Sequence, residues 1–277
     1  MSHVYDALRQ QEKEQGQLGT SPFPQPIGLL GDASVERVEL DGIASVNVNM
    51  SASSRLVALS APHSLGAEKF RVLVTRLENL CRQKELKSLQ ITSAVTNEGK
   101  TFVAANLAVT LAKRSRSRVL LVEGDLHRPA LATLLGLNEL RGLSHWWSDQ
   151  EQDIVSLLRR LNGLPLWFLG AGTPNEMPSH ILQSTRFAEA FERLICGFEW
   201  IIVDSTPMLP IADANLWSGL VDGTLLVVRE GVTPVRALRK GLQALDDPKL
   251  VGLLMNETSE SDERYAGQYY TARRNAP

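Results

Sequence analysis

Short apolar runs alternate along this chain with longer stretches in which hydrophobic residues recur every three or four positions. The runs are SLQITSA (88–94), RVLLVEGD (118–125), LPLWFLGAG (164–172), EWIIVDS (199–205), GTLLVVRE (223–230) and VGLLMNE (251–257). They are rich in Val, Ile and Leu and lack polar alternation, so they predict strands buried on both faces. That is the pattern of a mainly parallel sheet flanked by helices. SLGAEKFRVLVTRLENLCRQ (64–83) reads as a helix, with Phe70, Leu73, Leu77 and Leu80 on one face. Near the N-terminus, residues 2–15 predict a short helix with Ser2 as N-cap and Val4, Ala7 and Leu8 as an apolar stripe too small to fold alone. Residues 16–55, rich in Gly, Pro, Ser and Asn, read as a linker. The division is a helix at 1–15, a linker at 16–55, an α/β domain at 56–258 and a flexible, polar tail at 259–277.

Composition narrows this picture. A 43% hydrophobic share in 277 residues supports a sizeable core. The formal charge of −2 gives no support to a nucleic-acid partner. Cys81 and Cys196 make neither a disulfide framework nor a metal pattern, which suits a reducing cytoplasm. The N-terminus lacks the apolar core of a signal peptide, and no uncharged apolar run approaches the ~20 residues that cross a bilayer. The expectation is a cytoplasmic protein that reaches the membrane only through a partner.

The chemistry-bearing residues follow the expected strands, where ligands of parallel sheets bind. The stretch from Ile91 to Arg114 holds AVTNEGKT, which matches the phosphate loop G-x-x-x-x-G-K-[ST] except that Ala94 replaces the opening glycine. Such a loop needs small residues in tight turns, a lysine for the β- and γ-phosphates and a hydroxyl for Mg²⁺. Gly99, Lys100 and Thr101 supply these, and Ala94 is still small. RVLLVEGDLHRP ends a strand on two acids, Glu123 and Asp125, placed either to order metal-bound water and accept a proton or to cap the next helix. EWIIVDSTP delivers Asp204 as a further acid on the metal side. Asp213 fits a helix cap. Asn256, ending the last strand, suits either the reading of an adenine edge or a turn. Three of the four tyrosines, Tyr265, Tyr269 and Tyr270, gather in the polar tail, where aromatics have no core to fill. Docking or phosphorylation would account for them.

Taken in order, these motifs resemble the bacterial tyrosine kinases of the polysaccharide-export type (BY-kinases), in their stand-alone form. AVTNEGKT is similar to the family's deviant Walker A loop, LLVEGDLHRP to its Walker A′ strand, WIIVDSTP to its Walker B strand and YAGQYY to its tyrosine-rich tail. The resemblance covers roughly residues 58–270 and implies a three-layer P-loop NTPase fold with ATP and Mg²⁺ as cofactors. It implies a nucleotide cradle of Asn97, Glu98, Gly99, Lys100, Thr101 and Phe102, with Asn256. Lys100, Glu123, Asp125 and Asp204 become the catalytic set, and Thr101, Asp125 and Asp204 the metal set. Glu123 stands where the family has the aspartate implicated in activating the tyrosine hydroxyl, and His127 where it has an arginine. Tyr265, Tyr269 and Tyr270 are the implied phosphorylation sites, modified in trans within a homo-oligomer. Glu68 and Arg71 match the family's ring-forming E-x-x-R-x-x-R helix, whose last arginine is Val74 here. A transmembrane co-polymerase as activator and a cognate tyrosine phosphatase are the implied partners, with recruitment to the inner face of the membrane.

Two rivals share the fold. A MinD/ParA-type switch ATPase carries an extra lysine early in the loop, where this chain has Val95. A weakly active nucleotide-binding regulator of a polysaccharide co-polymerase is the other, favoured by Glu123, His127 and Val74.

Overall fold

The computed structural model describes residues 38–48 and 55–257, apart from 83, 116, 138–139, 175–176, 210–211 and 246–248. The expected helix at 2–15 and the tail tyrosines Tyr265, Tyr269 and Tyr270 lie outside the described residues.

All six apolar runs are strands: β2 (Ser88–Ser93), β3 (Val119–Glu123), β5 (Leu166–Leu169), β6 (Trp200–Asp204), β7 (Gly223–Arg229) and β8 (Leu250–Asn256). Two short strands join them, β1 (Ser45–Val46) and β4 (Arg159–Leu161), giving the order β1-β4-β5-β3-β6-β2-β7-β8. The six long strands pair in parallel, while β4 runs antiparallel to β5. β2 lies between β6 and β7, neither of them its neighbour in sequence, so the chain leaves β2 at a reversal of strand order. Sheets of this kind open a crevice at such a point.

Helices cover both faces, as three layers require. The short α1 (Val57–Ser60), α2 (Leu65–Cys81), α3 (Lys100–Ser115) and α4 (Leu131–Leu134) lie on the face formed by Leu89, Ile91, Leu121, Ile202, Leu225 and Val227. α5 (Leu143–Ser148), α6 (Pro178–Leu182), α7 (Thr185–Gly197), α8 (Asp213–Leu220) and α9 (Val235–Leu245) cover the opposite face. Helix α3 is buried nearly all round, and Ala104, Ala105, Ala108 and Ala112 keep it slim enough to sit between sheet and α2. Helix α2 begins at Ser64, whose hydroxyl accepts the Ala67 N–H at 3.2 Å, a standard N-cap. Val74, at the position of the family's last motif arginine, is fully buried on the core side of α2.

Part of the expected linker belongs to the domain. Val38 is buried, so close to α7 that a Cβ on Gly197 would stand 2.9 Å from it. Leu40 and Ile43 pack on the α7 side, and Ser45–Val46 pairs with Arg160 and Leu161.

Candidate active site

The loop from Ala94 to Gly99 joins β2 to α3, so Lys100 opens a helix of 16 residues whose free N–H groups and dipole face the loop. Two residues take left-handed backbone, Asn97 at φ 64° and Gly99 at φ 92°. Asn is among the few side chains that tolerate it. Ala94 is fully buried, with the Met208 and Leu209 N–H groups donating to the carbonyls of Ser93 and Ala94.

Glu98 is the loop's internal brace. Only 1% exposed, its carboxylate accepts the Val95 N–H at 2.8 Å and the Thr233 hydroxyl from the β7–α9 loop. The Asn256 amide donates to the Glu98 carbonyl at 3.0 Å, and a Cβ on Gly99 would collide with that amide. One of the two Asn256 amide hydrogens thus holds the loop, a role the sequence did not disclose.

Three strand ends meet here. Lys100 Nζ lies 3.4 Å from Asp125 Oδ2, with both side chains largely buried. Asp125 Oδ1 accepts the Arg128 N–H at 3.0 Å, which tightens the turn after β3. Asp204, 1% exposed at the end of β6, lies beside the Thr101 hydroxyl, which favours its charged form. Burial pushes the Asp204 carboxyl up to about 7, with the Lys100 charge and the Thr101 hydroxyl opposing and Asp125 and Glu123 adding to the rise. Its Oδ1 and the nearby Thr206 hydroxyl are buried without a hydrogen-bond partner in the protein. Buried acceptors are rarely left so unless a ligand or water completes them.

The donors gathered here, Thr101, Asp125 and Asp204, are all oxygens and so fit a hard cation such as Mg²⁺. No group of three or more His, Cys, Asp or Glu side chains arranged for a metal occurs among the described residues. Mg²⁺ in phosphate loops needs none, because phosphate and water provide most of its ligands.

Glu123 differs from its neighbours. It pairs in register with Asp204 and is 2% exposed, yet Oε1 accepts the N–H groups of Leu131 at 2.7 Å and Ala132 at 3.0 Å. Oε2 accepts the Ala171 N–H at 3.0 Å. Beyond it a cavity of about 430 Å³ is lined by Glu123, Pro129, Leu137, Leu140, Arg141 and His145, among others. His127 Nε2 sits 3.1 Å from Asp213 Oδ2, linking the β3–α4 loop to α8. Asp213 is the first residue of that helix, and its carboxyl is raised by burial against the pull of His127.

Other expected residues stand apart from this cluster. The Phe102 ring packs edge-on against Phe70, with centroids 5.7 Å apart, in the core under α2. Glu68 and Arg71 form an exposed pair at 3.0 Å on α2, and Arg71 also donates to the Pro62 carbonyl at 2.6 and 3.2 Å.

Fold and site define a P-loop nucleotide-binding α/β protein. Comparison with known proteins goes further. The chain is 31% identical over 218 residues to tyrosine-protein kinase YwqD of Bacillus subtilis, covering 78% of this chain and 91% of the relative. It therefore belongs to the bacterial tyrosine-protein kinases, and it is an enzyme of that class. It is 32% identical over 218 residues to the succinoglycan biosynthesis transport protein ExoP of Rhizobium meliloti, of which it spans only 27%. The kinase domain of Escherichia coli ETK superposes with a TM-score of 0.69 at 25% identity, over 83% of this chain and 98% of that one. The cell division ATPase MinD of Pyrococcus furiosus has a TM-score of 0.54 at 24% identity, over 64% of this chain and 74% of that one, a likeness of fold alone. No protein-family model matches the chain. No helix among the described residues is long and apolar enough to cross a membrane.

Proposed function

We propose that the chain transfers the γ-phosphoryl group of ATP, with Mg²⁺, to its own C-terminal tyrosines Tyr265, Tyr269 and Tyr270, in trans within a homo-oligomer. The observation that carries this is the meeting of Lys100, Thr101, Asp125 and Asp204 at three strand ends, with Asp204 Oδ1 still unpartnered. Bound ATP supplies the transferable phosphoryl group and Mg²⁺ neutralises part of its charge. Lys100 binds the phosphates from the start of α3, and the Thr101 hydroxyl with Asp125 and Asp204 holds the metal and its waters. The Glu98 brace keeps the loop in its cradle shape before nucleotide arrives, which reduces the ordering cost of binding. Positioning and charge neutralisation are most of what phosphoryl transfer asks of a protein. The acceptor phenol approaches from the cavity beyond Glu123, where Pro129, Leu137 and Leu140 offer an apolar wall.

The role is control of exopolysaccharide or capsule assembly and export, supported by the likeness to ExoP. A transmembrane co-polymerase recruits and activates the chain at the inner face of the cell membrane, and a cognate phosphatase resets the tail. Glu68 and Arg71, exposed on α2, take part in the oligomer contact.

The test is to incubate the protein with Mg-ATP, with and without the cytoplasmic segment of the membrane partner, and to map phosphate by mass spectrometry. Label is expected on the tail tyrosines and is lost in Lys100→Ala. Steady ATP hydrolysis with an unlabelled tail would sink the proposal.

A further inference from the structure

We infer that Glu123 is a positioning residue, which acts through the loop bearing Asp125, and not the group that takes the proton of the incoming tyrosine. In its rate test, this inference rests on the kinase reading above.

An ionised carboxylate offers about four lone-pair directions. Three of those on Glu123 are taken by backbone N–H groups from two separate segments, Leu131 and Ala132 at the start of α4 and Ala171 just after β5. The Lys100 ammonium pairs with Asp125 rather than with Glu123. A general base must have its lone pair facing the proton that it removes. Only one lone pair, on Oε2, is left for that task, and turning the carboxylate to present any other would strand an N–H that it now holds.

What these bonds hold is specific. The β3–α4 loop carries Asp125, His127 and Arg128 between Glu123 and the Leu131 N–H that Glu123 itself grips. The side chain therefore closes the loop on its own strand and ties it to the neighbouring strand end. The aim of Asp125 at Lys100 depends on that closure. A loose phosphoryl-transfer transition state also gains little from a strong base.

Length now becomes a requirement. Aspartate is shorter by one methylene, about 1.5 Å, and cannot serve both α4 and Ala171 from the same backbone position. Glutamine keeps the length and one acceptor oxygen. It retains the bonds from Leu131 and Ala132 and loses only that from Ala171. The positioning role predicts that Glu123→Gln phosphorylates the tail within ~10-fold of wild type and that Glu123→Asp is at least ~10-fold slower than Glu123→Gln. A proton-accepting role predicts the reverse order, because aspartate can take a proton and glutamine cannot.

The experiment compares initial rates of tail labelling by the three proteins between pH 6 and 9. Glu123→Gln is expected to keep the acidic limb of the wild-type profile. Loss of that limb, or Glu123→Asp outpacing Glu123→Gln, overturns the inference. Amide hydrogen exchange tests it apart from any kinase activity. Glu123→Asp should speed exchange at Leu131 or Ala171, and Glu123→Gln at Ala171 alone. Wild-type protection at all three amides in Glu123→Asp would also overturn it. If wild type labels no tyrosine while exchange follows this pattern, the kinase reading fails and the brace stands.

Discussion

Glu123 and Asp204 end adjacent parallel strands, face each other in register and are 2% and 1% exposed, yet their surroundings oppose each other. Glu123 accepts three backbone N–H groups, whereas Asp204 has the Thr101 hydroxyl and a buried oxygen with no partner. Burial alone therefore does not mark a reactive acid. What separates the two is hydrogen-bonding capacity left over after folding. Spent capacity stabilises the fold, and unspent capacity is held for a ligand at a cost in stability.

That contrast is most exposed by Asp204→Asn. Tail phosphorylation is expected to fall by ~10³-fold or more, the scale of losing a preorganised electrostatic contact in a transfer site. The nucleotide-free protein should be no less stable at pH 8 by denaturant unfolding. A large loss of stability with activity retained would reverse the assignment.

The pH dependence of the same variant sharpens the point. With its folded value near 7, Asp204 holds its proton to a higher pH than in the unfolded chain, where aspartate titrates near 4. The folded state binds the extra proton between those values. Stability from this group is therefore complete below about pH 4 and is lost as pH rises through about 7. Asp204→Asn lacks that loss, so its stability relative to wild type should climb from pH 4 to pH 8 by up to ~4 kcal/mol. A constant difference across that range would show that Asp204 keeps an ordinary carboxylate value.

Glu123→Ala is the opposite case. It leaves the buried N–H groups of Leu131 and Ala171 and the part-buried one of Ala132 without acceptors, and stability should drop by about 3 kcal/mol. If thermal unfolding of Glu123→Ala matches that of wild type, the brace is not holding α4 to the sheet.

The sequence disclosed strands by burial and the candidate site by spacing. β2, β3, β5, β6, β7 and β8 were legible because strands covered on both faces read as unbroken apolar runs. β1 and β4 were not, since SV and RRL at an edge carry no such run, and the segment around Val38 to Val46 has a linker's composition though Val38 is buried. Lys100, Thr101, Asp125 and Asp204 were legible because each lies at a fixed offset from a strand end. The partners of Glu123, Glu98 and Asn256 were not. The N–H of Ala171 reaches Glu123 from 48 residues away, and Asn256 reaches the Glu98 carbonyl from 158 away. No local spacing encodes such meetings. Helix α2 was legible through Phe70 and Leu77, and Val74, four positions after the one and three before the other, is buried on the same face.

The smallest expected effect tests whether the two acids must be held side by side. Gly124 follows Glu123, and its N–H donates to the Asp204 carbonyl at 2.7 Å while its own carbonyl accepts the Trp217 indole N–H at 3.0 Å. A Cβ there would stand 2.8 Å from Val203 Cγ1, 2.9 Å from Trp217 Cε2 and 3.0 Å from the Asp204 carbonyl. Its need for glycine is therefore close approach rather than a left-handed backbone. Gly124→Ala should push the ends of β3 and β6 apart by a few tenths of an ångström, at a cost of about 2 kcal/mol. Because the shift falls between Asp125 and Asp204, phosphorylation should decline more than stability does, on the order of 10²-fold. A variant that loses the expected stability but keeps full labelling would show that the acids act without a shared geometry. One that keeps both would mean that the Trp217 ring yields to the methyl group.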